Sequence, residues 1–262
     1  MKGFILSIIS LDCSYFLGKE YKRIKKQASE IVGKYLNDPD DLISFDDFKK
    51  EVFFKSEILI PKKNSKRIRV MLLFSNPHPL SVKKGMFLSP NRKNKENLFW
   101  PIMNDAGWFS IPKEKRNPEY LCKTFLGGKY QSPFEFVFYC YYLFPTDYPE
   151  DIPKIFGKSF FKKVIIPESE TCFTNTIKKS KVDAIVTFNK TIFNTVSEDG
   201  VNTYINRLNS GKIVYSKLKN FERETRIYLT YPTGWFYHKK YLNLRKRNLE
   251  RIKSSLCKFA DR

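Results

Sequence analysis

Thiols are few in this chain and poorly spaced for chemistry. The five cysteines, Cys13, Cys122, Cys140, Cys172 and Cys257, are scattered and odd in number. No two share the C-x-x-C spacing of a zinc or redox site, and an iron–sulfur cluster needs four converging thiolates. The pattern reads as buried or free thiols in a reducing cytoplasm, with no metal and no other cofactor. Histidine is scarcer still: His78 and His238 are the two in 262 residues. Long apolar runs are missing too. Residues 3–11, behind Lys2, have the outline of a secretory leader, but Asp12 interrupts the run and no small-x-small cleavage site follows. The run is far too short to cross a bilayer, so it is expected to be a strand or helix start packed on the core. With neither a Gly/Ser-rich linker nor an internal repeat, residues 1–262 are expected to form one elaborated domain.

Acidic residues are outnumbered, 27 against 48 lysines and arginines, which leaves a formal net charge of +21. A field of that size attracts polyanions and speeds their encounter. Nucleic acid, an anionic membrane surface and plain solubility all fit it, and charge alone does not choose among them. Basic side chains cluster at Lys62-Lys63-Asn64-Ser65-Lys66-Arg67, at Lys239-Lys240 and at Arg245-Lys246-Arg247. Apolar surface, by contrast, is plentiful. The chain is 42% hydrophobic and 16% aromatic, with 24 Phe and 15 Tyr, enough to offset the entropy of ordering and exclude a disordered chain.

Four short apolar runs, residues 70–74, 136–143, 184–188 and 227–230, read as buried strands. Each is rich in β-formers, and most are bounded by Pro, Asn or Asp. Near-continuous apolarity suits parallel strands covered on both faces. Helical patterns fall between them, over 95–106, 168–179 and 190–196. A last helix is expected over 241–256, with Leu242, Leu249, Ile252 and Leu256 inward and bases outward. This alternation predicts an α/β fold, a three-layer sandwich around a central, mostly parallel four-stranded sheet. Upstream, residues 14–36 place Leu17, Tyr21, Ile24, Ala28, Ile31, Val32 and Tyr35 at roughly helical spacing, and a second amphipathic segment runs over 40–54. Residues 1–60 are therefore expected to be an α-helical extension to a core of 68–256.

Ligands in parallel sheets bind beyond the carboxyl ends of the strands. Two strand-end loops draw attention on that ground. The first reads Phe74-Ser75-Asn76-Pro77-His78-Pro79 and continues to Gly85-Met86-Phe87. The second reads Tyr231-Pro232-Thr233-Gly234-Trp235-Phe236-Tyr237-His238-Lys239-Lys240. Taken alone, Asn76-Pro77 is a turn initiator and Pro232-Thr233-Gly234 an ordinary turn.

Taken in order, with Asn97-Leu98-Phe99-Trp100 and Gly107-Trp108 between them, the two loops resemble the motifs of the uracil-DNA glycosylase superfamily. The similarity is greatest to its mismatch-specific uracil/thymine branch and covers roughly residues 68–256. It implies a monomeric, monofunctional glycosylase of DNA repair that flips uracil or a related base out of uracil-containing or mismatched DNA and hydrolyses its N-glycosidic bond. It also implies no membrane partner. Excision requires the base to leave the stack, because the reacting carbon is inaccessible inside the duplex. By the resemblance, Asn76 would hold the attacking water, a task of positioning rather than strong basicity. Phe87 would stack on the base, with Ser75 and Pro77 beside it. Thr233 and the Gly234 amide would bind the adjacent phosphate. Trp235, Phe236 and Tyr237 would wedge into the duplex, and His238, Lys239 and Lys240 would meet the DNA. Phe99, Trp100 and Trp108 are expected in the core.

The motifs depart from the family at three points. Phe74 stands where the first motif usually opens on glycine, and His78 follows Asn-Pro. Tyr231 opens the second motif, where other branches carry a histidine that stabilises the departing base. A phenol donates one hydrogen bond there but carries no positive charge. Tyr231, His78 and His238 thus remain alternatives for stabilising the leaving base, and loss of excision with retention of DNA binding is the alternative function.

Overall fold

The four apolar runs are strands and lie side by side. The computed structural model describes residues 6–16, 18–36, 38–62, 65–90, 95–221, 224–234 and 241–260. In chain order, the first half holds β1 (Leu6–Asp12), α1 (Lys19–Gly33), β2 (Ile43–Asp46), β3 (Glu51–Leu59), β4 (Ile68–Phe74), α2 (Pro79–Lys84), α3 (Phe99–Asp105), α4 (Pro118–Gly127) and β5 (Phe134–Cys140). The second holds α5 (Asp151–Phe156), α6 (Lys158–Phe160), α7 (Ile166–Ser180), β6 (Ala184–Thr187), α8 (Lys190–Val196), α9 (Ile205–Asn209), β7 (Val214–Lys217), β8 (Arg226–Leu229) and α10 (Leu242–Ala260).

Among the described residues the strands form one eight-stranded sheet, ordered β1-β3-β5-β4-β6-β8-β7, with β2 also on β3. The expected strands β5, β4, β6 and β8 pair in parallel. Antiparallel β1, β2, β3 and β7 extend them on both sides. The sheet is therefore mixed and has twice as many strands as the four expected. The added strands escaped notice because they are half-exposed. β7, for example, alternates buried Val214 and Ser216 with exposed Tyr215 and Lys217, so it never forms an apolar run.

Residues 1–60 are not a helical extension. α1 forms as the periodicity predicts, burying Tyr21, Ile24, Ala28 and Val32. The segment 40–54, however, is a short 3₁₀ turn followed by the β2–β3 hairpin. Asp46 decides this locally: its carboxyl accepts hydrogen bonds from the Phe48 and Lys49 amides, at 3.0 and 2.9 Å. That Asx-type turn, with Lys50 at φ 58°, reverses the chain where a helix would have continued.

β5 shows how both faces of the sheet are covered. Phe136 and Phe138 meet Phe125 of α4, and Phe134 and Phe136 meet Trp108. On the opposite face, Tyr139 meets Phe173 of α7. Phe99, Trp100 and Trp108 are buried, as expected. At the amino ends of the strands, Arg69 and Glu135 form a buried ion pair, and the Arg69 amide donates to Asp183 at 2.7 Å. α10 buries Leu249, Ile252 and Leu256 as predicted. Two side chains reverse the expectation: Leu242 is 42% exposed, and Arg245 is fully buried. No helix among the described residues is long and apolar enough to cross a membrane.

Candidate active site

Strand register sets the site. Leu73 of β4 is level with Thr187 of β6, and Thr187 with Leu229 of β8. The parallel strands thus end together, and the loops that follow share one rim. There they enclose a cavity of about 350 Å³, lined by Ser75, Asn76 and His78 from the first loop and by Pro232, Thr233 and Gly234 from the second. That volume lies at the small end of the range of ligand pockets.

The floor of this cavity is the last row of the sheet. Cys140 of β5 is in register with Phe74 of β4. Phe188, next after Thr187, stacks on Phe74 with centroids 5.2 Å apart and planes within 4°. On the other side β3 runs antiparallel to β5, pairing Ile58 with Tyr139, so Glu57 falls opposite Cys140. All four residues line the cavity.

One wall is the Asn76 loop. Asn76 Nδ2 donates to the Thr146 carbonyl at 2.7 Å and to Thr146 Oγ1 at 2.9 Å, while Oδ1 accepts from Ser75 Oγ at 3.0 Å. The Thr146 amide in turn donates to the Pro77 carbonyl at 3.1 Å. The loop after β5 therefore fixes the asparagine amide, leaving its oxygen as the group able to accept from a water. Pro77 itself is buried and does not line the cavity, so its expected contact with a base gives way to this anchoring role.

Phe87 lines the same cavity and is held in tilted contact by Phe74 and Phe138, at 5.7 and 5.6 Å between centroids. The next residue, Leu88, takes the left-handed conformation at φ 51°, and its carbonyl accepts from Trp100 Nε1 at 3.1 Å. A leucine held at positive φ beside a cavity is strain of the kind that collects at functional sites. On the opposite rim Gly234 is exposed, and a Cβ there would meet nothing within 4 Å, leaving bare backbone for a ligand to approach.

His78 lines the cavity as well as capping α2. Its Nδ1 accepts from the Leu80 amide at 3.2 Å, and its Nε2 lies 3.7 Å from Asp147 Oδ1. Tyr231 does not reach the cavity. It is fully buried, and its hydroxyl donates to Asn209 Oδ1 of α9 at 2.8 Å. Burial raises its phenol pKa, and the nearby Arg245 opposes that rise. The strand-end position that suggested a contact with the leaving base instead points the ring into the core. Trp235, Phe236, Tyr237, His238, Lys239 and Lys240 lie outside the described residues.

Two carboxyl groups complete the lining, and neither was expected. Asp147 follows the Thr146 anchor, and its Oδ1 is buried without a hydrogen-bond partner. Glu57 is 2% exposed, and its Oε1 likewise has no partner. Burial holds the Glu57 carboxyl well above the ordinary carboxylate range, which favours its protonated form. The Cys140 thiol is pushed up as well, by its own burial first and by Glu57 second, which makes it an inert neighbour rather than a nucleophile.

The sequence matches no protein-family model and no curated protein. The cavity's chemistry therefore rests on its own geometry. Among the described residues, the basic side chains of the clusters at 62–67 and 245–247 do not line it. Lys62–Arg67 leads into the amino end of β4, opposite the cavity, where Arg67 donates to the Gly128 carbonyl at 2.9 Å. Arg226, Arg247, Arg251 and Lys258 line a separate groove of about 710 Å³ that includes none of the motif residues.

Proposed function

We propose that this protein is a DNA glycosylase that accepts an extruded uracil or related base in the strand-end cavity and hydrolyses its bond to the sugar. The observation that carries the proposal is convergence. Asn76, Phe87 and Thr233 come from three separate stretches of chain, and all line one cavity of small-ligand size. In this reading the parallel quartet, with helices on both its faces, is the three-layer sandwich of that superfamily, and the protein acts as a cytoplasmic monomer on DNA.

The reaction follows from the groups present. Phe87 and Phe74 line the cavity as aromatic partners for a planar base. Asn76 Oδ1, fixed by Thr146, accepts a hydrogen bond from a water and aims it at the sugar carbon as the bond to the base breaks. Positioning of that kind, in a site that excludes bulk solvent, supplies much of an enzyme's rate without a strong base. Thr233 and the Gly234 amide lie at the cavity mouth, suited to a flanking phosphate. The net charge of +21 supplies the long-range attraction to DNA.

The burial of Tyr231 favours a second reading, a DNA-binding relative that has lost excision, because the expected partner of the leaving base faces away. Base release from oligonucleotides carrying uracil, a G·T mismatch or hypoxanthine separates the two. The glycosylase reading expects abasic sites from at least one of them, with Asn76→Ala slowing their formation about a hundredfold or more. Binding that weakens steeply with salt but yields no product supports the second reading. No binding at low salt sinks both.

A further inference from the structure

The site described above leaves one chemical need unmet. When the bond between sugar and base breaks heterolytically, its electron pair stays with the base, and the base departs as an anion unless it is given a proton. Neither Tyr231 nor Cys140 serves, and His78 is held between the Leu80 amide on its Nδ1 and Asp147, 3.7 Å from its Nε2. Tyr231 is committed to Asn209, and Cys140 is a buried thiol of raised pKa.

We propose that Glu57 is the general acid of this site, its carboxyl donating to a carbonyl oxygen or ring nitrogen of the departing base. The inference rests on the glycosylase reading of the cavity. Three observations carry it. Glu57 ends the floor row, beside Cys140 and in the same row as Phe74 and Phe188, so a base held against that floor lies within the same cavity as its carboxyl. Its Oε1 is buried and has no hydrogen-bond partner. A polar atom left in that state costs about 1–3 kcal/mol unless a bound group or water takes up the bond, and the cavity is where such a partner would sit. Finally, burial disfavours the charged carboxylate and so shifts the group toward the form that can donate. A carboxylic acid kept neutral by an apolar site is a known way of holding a hydrogen-bond donor at neutral pH.

The step balances. The C1′–N bond breaks and its pair passes to the base. The Glu57 proton moves to the base, which leaves neutral. Water adds to C1′, and the proton it loses restores the Glu57 carboxyl. The sum is hydrolysis to a free base and an abasic sugar, with no other reactant.

The test compares leaving groups of different acidity. Single-turnover base release would be measured for full-length wild type, Glu57→Gln and Asn76→Ala on oligonucleotides carrying uracil or 5-fluorouracil, the latter departing more readily as an anion. Glutamine keeps the size and polarity of glutamate but cannot transfer a proton. The expected result is a fall of about a hundredfold or more on uracil for Glu57→Gln. On 5-fluorouracil the fall should be at least tenfold smaller, while Asn76→Ala should slow both bases alike. Equal falls on the two bases with Glu57→Gln, or no fall, overturn the assignment of Glu57 and leave the glycosylase reading standing. If wild type releases neither base, the assignment of Glu57 falls, and the glycosylase reading is then decided by the G·T and hypoxanthine substrates. Unchanged thermal unfolding of Glu57→Gln excludes misfolding as the cause, and Glu57→Met, which also lacks the proton but fills the space, must show the same leaving-group dependence.

Discussion

At the residue scale, Glu57 differs most from what a sequence suggests. Val52, Phe54 and Ser56 are buried in alternation along β3, which assigns Glu51, Phe53, Lys55 and Glu57 to the outer side. A glutamate there reads as a solvated charge. Its burial also couples folding to pH, and the sign can be worked out. The folded protein holds a proton that the unfolded chain releases near the ordinary value of 4.5. The contribution of Glu57 to stability is therefore fully present below about pH 4.5 and is lost as pH rises toward its folded value. Glu57→Gln removes this dependence. In thermal melts at fixed ionic strength between pH 5 and 8, the variant should gain stability relative to wild type as pH increases. A difference that stays constant across that range would mean that Glu57 is ionised in the fold.

At the element scale, the cavity depends on how strands and turns hand the chain over to one another. β3 pairs first with β1 and β2, then with β5 through Ile58 and Leu59, and Glu57 sits at the change of partner. The loop after α2 is comparably constrained, since Leu88 holds its positive φ with its carbonyl tied to Trp100. Trp100→Phe keeps the ring in the core but deprives that carbonyl of its donor. It should cost about 1–3 kcal/mol in urea unfolding and slow any base release, because Phe87 adjoins the loosened turn. Full stability in this variant would show that the Leu88 turn holds itself.

The same scale explains what could be read in advance. The parallel strands were legible because burial on both faces leaves continuous apolar runs, and α8 falls where its pattern placed it, at Lys190–Val196. The loops carrying Asn76, Phe87 and Thr233 were legible because strand ends collect ligands. The β2–β3 hairpin was not, since a mixed polar pattern over 40–54 fits helix and hairpin alike until the Asp46 turn decides. Glu57 and Asp147 were invisible for another reason. Nothing local marks a carboxyl as buried when what surrounds it is distant in sequence, a strand about eighty residues further along for Glu57 and the Asn76 loop about seventy residues back for Asp147. Tyr231 misled because position in a motif does not determine which way a ring points at a strand end.

At the scale of the whole molecule, the first sixty residues belong to the sheet rather than to an appendage. β3 covers the edge of β5, and α1 packs on β2 and α5. A fragment of 68–256 would leave β5 with an unpaired edge and remove Glu57. It is expected to be aggregated or to unfold without a cooperative transition, whereas the full chain melts cooperatively; circular dichroism with size-exclusion chromatography distinguishes the two. A soluble, cooperatively folding fragment would mean that β1 to β3 are dispensable.

On the proposed function, the floor of the cavity is at once a recognition surface and the final rung of the sheet. Phe74, Cys140 and Phe188 hold the ends of neighbouring strands level while facing whatever enters. Mutations that broaden substrate range would therefore disturb strand packing at the same positions. In a lineage of such proteins, substrate preference should drift through the rim loops around Thr233 and Asn76, while the floor changes only alongside compensating changes in the core.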